Sequence, residues 1–314
     1  MITIKDIAKK AGVSHTTVSR ALNSNPVIPE RTAAKIRQIA EEMGYMRSAA
    51  AQGLRGGPTN VAGVLVSRLD DPYFGDILQG IEEKLAEKGY VLLINSSDFD
   101  PKKEQNAFRA FLERRVDGLI ISSIDFNEEK EAYLRRYNLP VVVINNQAIN
   151  ILPNSVSHDD FYGATAMTQS LIRSGCWRIA YIGNASAGRT NRDRFAGYRA
   201  ELESAGLKVE DGLVAAVEGG DILSGKSGME TLLERGMDPD AVFCFNDMMA
   251  IGALQVLKER GLRVPQQIGV AGFDNIPYSS FTNPVLTTFD QPKKELGWLA
   301  AETLLKLIDS AQKQ

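Results

Sequence analysis

The stretch from Met1 to Asn23 confines the start of the chain to two short helices joined by a tight turn. Thr3 can cap the first helix, with Asp6 three residues on completing a capping box. Ile4, Ile7, Ala8 and Ala11 recur at helical spacing and form one apolar stripe. Gly12 ends that helix, where a left-handed backbone costs glycine little. Ser14 caps the second helix, and Val18, Ala21 and Leu22 face inward. His15, Thr16, Thr17, Ser19 and Arg20 are left on the outer and flanking faces. These short hydrogen-bonding groups and one guanidinium suit base edges and phosphates. Any helical hairpin can have an amphipathic second helix. Two caps, a small-residue crossing and a polar outer face together favour a helix–turn–helix that enters a DNA groove.

A third helix is expected from about Glu30 to Met43, stopped by Gly44, followed by a small, polar linker from Met46 to Pro58. Residues 1–57 carry nine Lys and Arg against four acids, whereas the whole chain has a net charge of −3. Positive charge is thus concentrated on the leading segment and the remainder is acidic, as for a nucleic-acid module attached to a globular body. At 314 residues there is room for two or three compact units. No apolar run is long enough to span a bilayer and the polar start is unlike a signal peptide, so a cytoplasmic location is expected. The two cysteines, Cys176 and Cys244, lie far apart without metal-ligand spacing and read as free thiols. With two histidines in all, a His-based metal site is not expected.

From Asn60 onward short β runs alternate with helical segments. Val61–Val66, Tyr90–Ile94, Gly118–Ser122 and Val141–Ile144 read as strands, with helices near 74–88 and 102–114 and another before the fourth strand. The pattern restarts with a helix near 162–174, a strand at Arg178–Gly183 and a helix near 193–205. The segments 213–217, 228–235, 242–245, 247–260 and 269–273 follow. Val- and Ile-rich runs between amphipathic helices predict parallel strands covered on both faces. Two such series imply an α/β core of two doubly wound parallel-sheet lobes behind an all-α headpiece. Ligands of such sheets bind outside the carboxyl ends of the strands, so two facing lobes should form a cleft.

Polar residues collect at those strand ends. Asp70, Asp71, Tyr73 and Phe74 follow the first strand, Asn145 and Asn146 the fourth, and Arg189 to Arg194 the strand ending at Gly183. Asn246 and Asp247 follow Phe245, and Asp274 and Asn275 follow Phe273. Each group alone could be an ordinary helix cap. Together they offer carboxylates, amides, a guanidinium and aromatic faces, which suit a polyhydroxylated ligand.

The chain resembles transcription regulators of the lactose/galactose repressor family along essentially its whole length. The resemblance is carried by Thr3 to Ala8, Gly12 to Ser14, Thr17 to Arg20, Asn23, Arg115 to Gly118, Arg194 to Tyr198, Asn246 to Ala250, Gly261 to Pro265 and Leu286 to Thr288. It implies a helix–turn–helix headpiece in 1–57 with a hinge helix at about 48–55, and an effector-binding and dimerisation core in 58–314. That core would be periplasmic-binding-protein-like, with a first lobe of about 60–158 and 290–314, a second of about 159–289, and crossovers near 157–162, 275–279 and 288–292. It further implies that His15, Thr16 and Arg20 face bases, while Thr3 belongs to the DNA-binding set and Ser14, Thr17, Ser19 and Asn23 hold phosphates. Ala50, Ala51 and Leu54 would form the hinge, with Leu54 wedged into the minor groove. Arg47, Ser48 and Gln52 depart from the usual hinge residues. The implied effector positions are Asp71, Tyr73, Phe74, Asn145, His158, Arg194, Asn246, Asp274 and Gln291. Arg194 would clasp two ligand oxygens and Asp274 would accept from hydroxyls. Ile222 and Leu223 stand where sugar-binding members often carry an aromatic residue.

One motif points to another class. The stretch from Gly220 to Ser227 matches the phosphate-loop pattern of nucleotide hydrolases, although the same residues can begin an ordinary helix capped by serines. A periplasmic sugar carrier would explain the lobes but not the basic headpiece. No nucleophile–base pair or metal-ligand set appears. The expected function is therefore non-enzymatic and needs no cofactor: a repressor-type regulator that binds a palindromic operator as a homodimer. A sugar-like effector would control it, with a partner protein as the alternative controller.

Overall fold

A computed structural model of the chain describes residues 2–23, 25–45, 58–122, 128–145, 154–311 and 313. The chain divides into two compact units, Met1–Thr59 and Asn60–Gln314. The implied hinge, with Ala50, Ala51 and Leu54, lies outside the described residues, as does Asn146.

The first unit is three helices, α1 (Ile4–Ala11), α2 (His15–Leu22) and α3 (Glu30–Glu42). Local chemistry sets the ends of the first two. The Thr3 amide donates to Asp6 Oδ2 at 2.8 Å, and the Asp6 amide donates back to Thr3 Oγ1 at 3.4 Å. The Thr3 hydroxyl and amide, both donating to Asp6 Oδ2, hold the Asp6 carboxyl below its usual range. Gly12 turns left-handed at φ 72° and its amide bonds to the Ala8 carbonyl. Ser14 Oγ accepts from the Thr17 amide at 3.0 Å and starts α2. Ile7, Val18, Ala21 and Ile36 close a small core with essentially no exposure. Removing those side chains from water is what holds three short helices together.

The second unit holds two parallel five-stranded sheets. The first lobe runs β1 (Val61–Val66), α4 (Tyr73–Ala86), β2 (Val91–Ser96), α5 (Pro101–Glu113), β3 (Gly118–Ile121), α6 (Glu128–Arg135), β4 (Val141–Ile144) and β5 (Ser155–Val156). The second runs α7 (Asp160–Arg173), β6 (Ile179–Asn184), α8 (Gly188–Ser204), β7 (Val214–Val217), α9 (Ile222–Glu234), β8 (Ala241–Cys244), α10 (Asp247–Glu259), β9 (Gly269–Asp274) and β10 (Thr287–Asp290). α11 (Lys293–Ala311) follows. Sheet orders are β2-β1-β3-β4-β5 and β7-β6-β8-β9-β10, the same winding twice. Val64 pairs with Ile94 and Ile120, and Tyr181 with Val214 and Phe243. The central strands are buried on both faces, because helices cover each side. Val64 and Ile120 pack with Ile77, Ala300 and Leu304, while Leu65 and Leu119 pack with Phe108 and Phe111.

α11 belongs to the first lobe's core through Ala300, Leu304 and Ile308. Its crossing with α4 is a backbone contact. A Cβ added at Gly80 would sit 2.1 Å from the Lys294 carbonyl oxygen, and one at Gly297 would sit 2.1 Å from that of Ile77. Only glycine at both positions lets the helices approach this closely.

Several sequence expectations need correction. α8 starts at Gly188, not near 193, so Arg189 to Arg194 form helix rather than a strand-end loop. The run from Gly188 to Asp193 has no apolar stripe to announce it. α9 starts at Ile222 rather than near 228, because glycine and serine serve there in a helix crossing. The two-residue β5 and the mostly half-exposed β10 carry too little apolar alternation to be read as strands.

Candidate functional site

On the first unit, Thr3, Ser14, His15, Thr16, Arg20 and Asn23 are exposed, and Thr17 and Ser19 are partly exposed. Thr16 and Arg20 are four residues apart and therefore share one face of α2. Ser14 Oγ and Thr17 Oγ1 are hydrogen-bonded at 2.8 Å, so they form a single hydroxyl pair at the helix start. The Asn23 amide closes α2 onto the carbonyls of Ser19 and Arg20 at 3.2 Å.

In the second unit a cleft of about 260 Å³ opens where both sheets reverse strand order. In the first lobe the reversal lies between β1 and β3, and Ser67, Asp71 and Ser122 leave those strands into the cleft. In the second it lies between β6 and β8, and Asn184, Phe245 and Asn246 do the same. This is where doubly wound sheets offer diverging loops and helix N-termini to a ligand.

Asp71, Tyr73, Phe74, Asn145, His158, Arg194, Asn246, Asp274 and Gln291 all line this one cleft. Asp71 Oδ1 accepts from the Tyr73 amide at 3.0 Å, and burial pushes its carboxyl up. Asn145 donates to the Tyr73 hydroxyl at 2.8 Å, and the Tyr73 ring meets Phe74 edge-on at 5.3 Å. Asn246 caps α10 by accepting from the Met249 amide at 2.9 Å and donates to the Gly220 carbonyl at 2.8 Å. Asn145 and Asp274 both hold positive φ, 53° and 112°. Backbone held in such regions concentrates at functional sites.

The sequence reading makes Arg194 a fork for ligand oxygens. In the structure that fork is held largely by the protein. Its Nε donates to Asp160 at 2.9 Å, Nη1 to the Phe245 carbonyl at 2.6 Å and Nη2 to Asp274 at 3.5 Å. The guanidinium lies over the Phe273 ring at 3.9 Å and over Phe245 at 4.5 Å. Burial opposes its charge, but Asp160 and Asp274 outweigh burial and hold the group above its usual range. Burial likewise raises Asp274, against the pull of Arg194 and with Asp247 and Asp71 adding to the rise. Gln291 Nε2 donates to Asp274. Burial, with Arg194 and Lys293 nearby, lowers His158 to about 4, so it is neutral near pH 7. Among the described residues two buried polar atoms, His158 Nε2 and Gln291 Oε1, have no hydrogen-bond partner.

Residues the sequence reading missed complete the walls. Asp160 anchors Arg194, and Phe245 supplies the second lobe's aromatic face, whereas Leu223 is 73% exposed and away from the cleft. Phe99 lines the mouth, with φ 58° after Asp98 at 47°. Arg68 grips Asp70 through two hydrogen bonds and reaches Asp221 of the second lobe at 3.7 Å, which makes an ion pair between the lobes. The strand-end position of Phe245 was visible in the sequence; the ion pair, 153 residues apart in the chain, had no local signal.

Asp247 is fully buried outside the cleft lining. Its carboxylate accepts from the Ile276 amide and the Thr288 hydroxyl, and burial pushes it up to about 6.

The phosphate-loop pattern does not form a loop. Asp221 caps α9 by accepting from the Ser224 amide at 2.9 Å, and residues 222–227 are helical. A Cβ at Gly225 would lie 2.0 Å from the Met249 carbonyl oxygen, so this glycine seats α9 against α10. Lys226 pairs with Glu259 at 3.1 Å. Among the described residues no group of acids, histidines and cysteines could hold a metal, and no helix is long and apolar enough to cross a membrane.

Residues 3–48 match the family model described as bacterial regulatory proteins, lacI family. Residues 59–314 match that of the periplasmic binding proteins and sugar binding domain of LacI family. The chain is 33% identical over 309 residues to the ribose operon repressor of Escherichia coli strain K12, covering 98% of this chain and 93% of that one. It is 35% identical over 314 residues to the HTH-type transcriptional repressor PurR of Pectobacterium carotovorum subsp. carotovorum strain PC1, covering 99% and 91%. Among solved structures, the lac repressor dimer bound to operator and the anti-inducer ONPF superposes with a TM-score of 0.85 at 27% identity, covering 99% of this chain and 93% of that one. The chain therefore belongs to the LacI family, in which a DNA-binding helix–turn–helix is joined to a core that binds a small ligand.

Proposed function

We propose that this protein is a repressor that binds a palindromic operator as a dimer and is released from or recruited to it by a sugar or sugar derivative in the cleft. We assign 1–57 to DNA and 58–314 to the effector and dimer contacts. In this reading His15, Thr16 and Arg20 read bases, Ser14, Thr17, Ser19 and Asn23 hold the backbone, and Thr3 belongs to the same DNA-binding set. Ala50, Ala51 and Leu54 form the hinge, and Leu54 enters the minor groove at the operator centre. The observation that carries it is the convergence of both sheet reversals on one polar, aromatic-walled cleft in a chain that begins with a basic helix–turn–helix. Exposed Tyr278, Phe281 and Val285 on the second lobe, and Val91 and Ile94 on edge strand β2, support a second copy as the partner. Closure of the lobes on a ligand would alter the spacing of the two headpieces, driven by the ligand's differential affinity for the two arrangements.

Selecting operators from random duplexes, then titrating one by fluorescence anisotropy, tests this reading. Half-sites with two-fold symmetry, and binding that weakens steeply with salt, are expected. Arg20→Ala should cost about 1–3 kcal/mol of specific binding with the core still folded. Unchanged operator affinity would reject the assignment of α2. D-ribose is the first effector to add, given the similarity to a ribose operon repressor.

A further inference from the structure

We infer that the cleft selects an uncharged, polyhydroxylated ligand of about monosaccharide size and rejects its phosphorylated or carboxylated counterpart. This rests on the sugar-effector reading above and narrows it.

Charge is the first ground. Asp70, Asp71, Asp160, Asp221 and Asp274 line the cleft against two cations, Arg68 and Arg194. Neither cation is at liberty. Arg68 is held by Asp70 and Asp221, and Arg194 by Asp160 and Asp274. Burial already raises Asp71 and Asp274, so the site resists the negative charge it has.

The second ground is that most of the helix ends at the cleft are closed. Exposed amides at helix N-termini are a common anion site in doubly wound folds. Five helices have their first turn among the lining residues, and four of them are stoppered by an oxygen of the chain itself, whereas α8, with Ala187 at its N-cap, has no side-chain cap. Asp71 accepts from the Tyr73 amide at α4, Asp159 from the Tyr162 amide at α7, Asp221 from the Ser224 amide at α9, and Asn246 from the Met249 amide at α10. An incoming phosphate would have to displace a carboxylate at three of these four.

The third ground is the unmet bonding of the walls. Gln291 is 3% exposed and its Nε2 is turned to Asp274, so its unpartnered Oε1 is an acceptor awaiting a donor. Hydroxyl groups donate; phosphate oxygens at neutral pH mainly accept. The volume, about 260 Å³, lies just below the roughly 300–1,000 Å³ of drug-sized sites.

The test is a thermal-shift and calorimetry panel on the full chain with matched pairs. These are D-ribose and D-ribose 5-phosphate, D-glucose and D-glucose 6-phosphate, and D-galactose and D-galacturonate. At least one neutral sugar should raise the melting temperature, and its anionic counterpart should bind at least a hundredfold more weakly. An anion that binds as tightly as its neutral partner would overturn the inference and leave the small-ligand reading standing. Silence across the whole panel would remove the sugar reading, and this inference with it. Asp221→Asn keeps a good helix cap while deleting one rim charge. It should narrow the neutral-to-anion ratio severalfold. An unchanged ratio would overturn the role assigned to the rim charge.

Discussion

Both lobes use one strand order and both expose the same reversal point to the cleft, but the walls they build there differ. The second lobe presents an interlocked set: Arg194 is clasped by Asp160, Asp274 and the Phe245 carbonyl and sandwiched by two rings. The first lobe presents looser groups. Tyr73 is bonded to Asn145, Asp71 to a backbone amide, and Arg68 and Phe99 stand at the mouth. Repeating a fold thus does not repeat a site. One wall is a rigid template whose loss disturbs the fold, and the other can change with modest effect on stability.

The sharpest way to break this contrast is Arg194→Ala. Leaving two buried carboxylates without their cation should destabilise the core by about 3–5 kcal/mol, read from urea denaturation followed by near-ultraviolet circular dichroism. A loss below about 1 kcal/mol would mean that the template is not rigid.

Next in size is the pH response of the second lobe. Asp247 is raised to about 6 from an ordinary 3.8, so the stability its protonated form keeps below 3.8 is lost as pH rises through 6. His158, lowered to about 4, acts oppositely: its contribution is present above 6.5 and is lost as pH falls toward 4. Asp247→Asn should remove the first effect, worth up to about 3 kcal/mol. The variant's melting temperature should rise more steeply than the wild type's between pH 4 and 6. Parallel curves would contradict the burial argument.

Tyr73→Phe, on the first lobe's wall, should cost only about 1 kcal/mol of stability, since it deletes one half-buried hydrogen bond to Asn145. Its larger effect should be on ligand affinity by calorimetry; a stability loss as large as that of Arg194→Ala would erase the contrast between the walls. The smallest effect is expected at Lys226. Lys226→Ala breaks one surface pair with Glu259 and should change stability by less than about 1 kcal/mol, with no nucleotide turnover in either protein. ATP hydrolysis that disappears with Lys226 would revive the phosphate-loop reading.

Much of this was legible in the sequence because it is written locally. The capping box at Thr3 and Asp6, the glycine after α1 and the Val- and Ile-rich strands all act through neighbours a few residues away. The strand-end rule likewise gathered Asp71, Asn145, Asn246 and Asp274 into one cleft. What stayed hidden depends on distant partners. The early start of α8 is masked by a run of charged and polar residues, and the bond from Arg194 to Asp160 joins two helices 34 residues apart in the chain. Gly225 looks like a loop glycine until its closeness to Met249 is known. The pairing of Arg68 with Asp221 has no trace in either local stretch.

The glycine-to-backbone crossing of α4 and α11 has a consequence for how this molecule is made. Residues near Ile308 complete the core that begins at Ala62, so the first lobe waits for a helix encoded after the second, while the second is contiguous from Asp160 to Asp290. On the ribosome the later-encoded half can close first. A message cut short within α11 would yield a polypeptide with one finished lobe and one open one, unable to form the cleft through which it would be controlled.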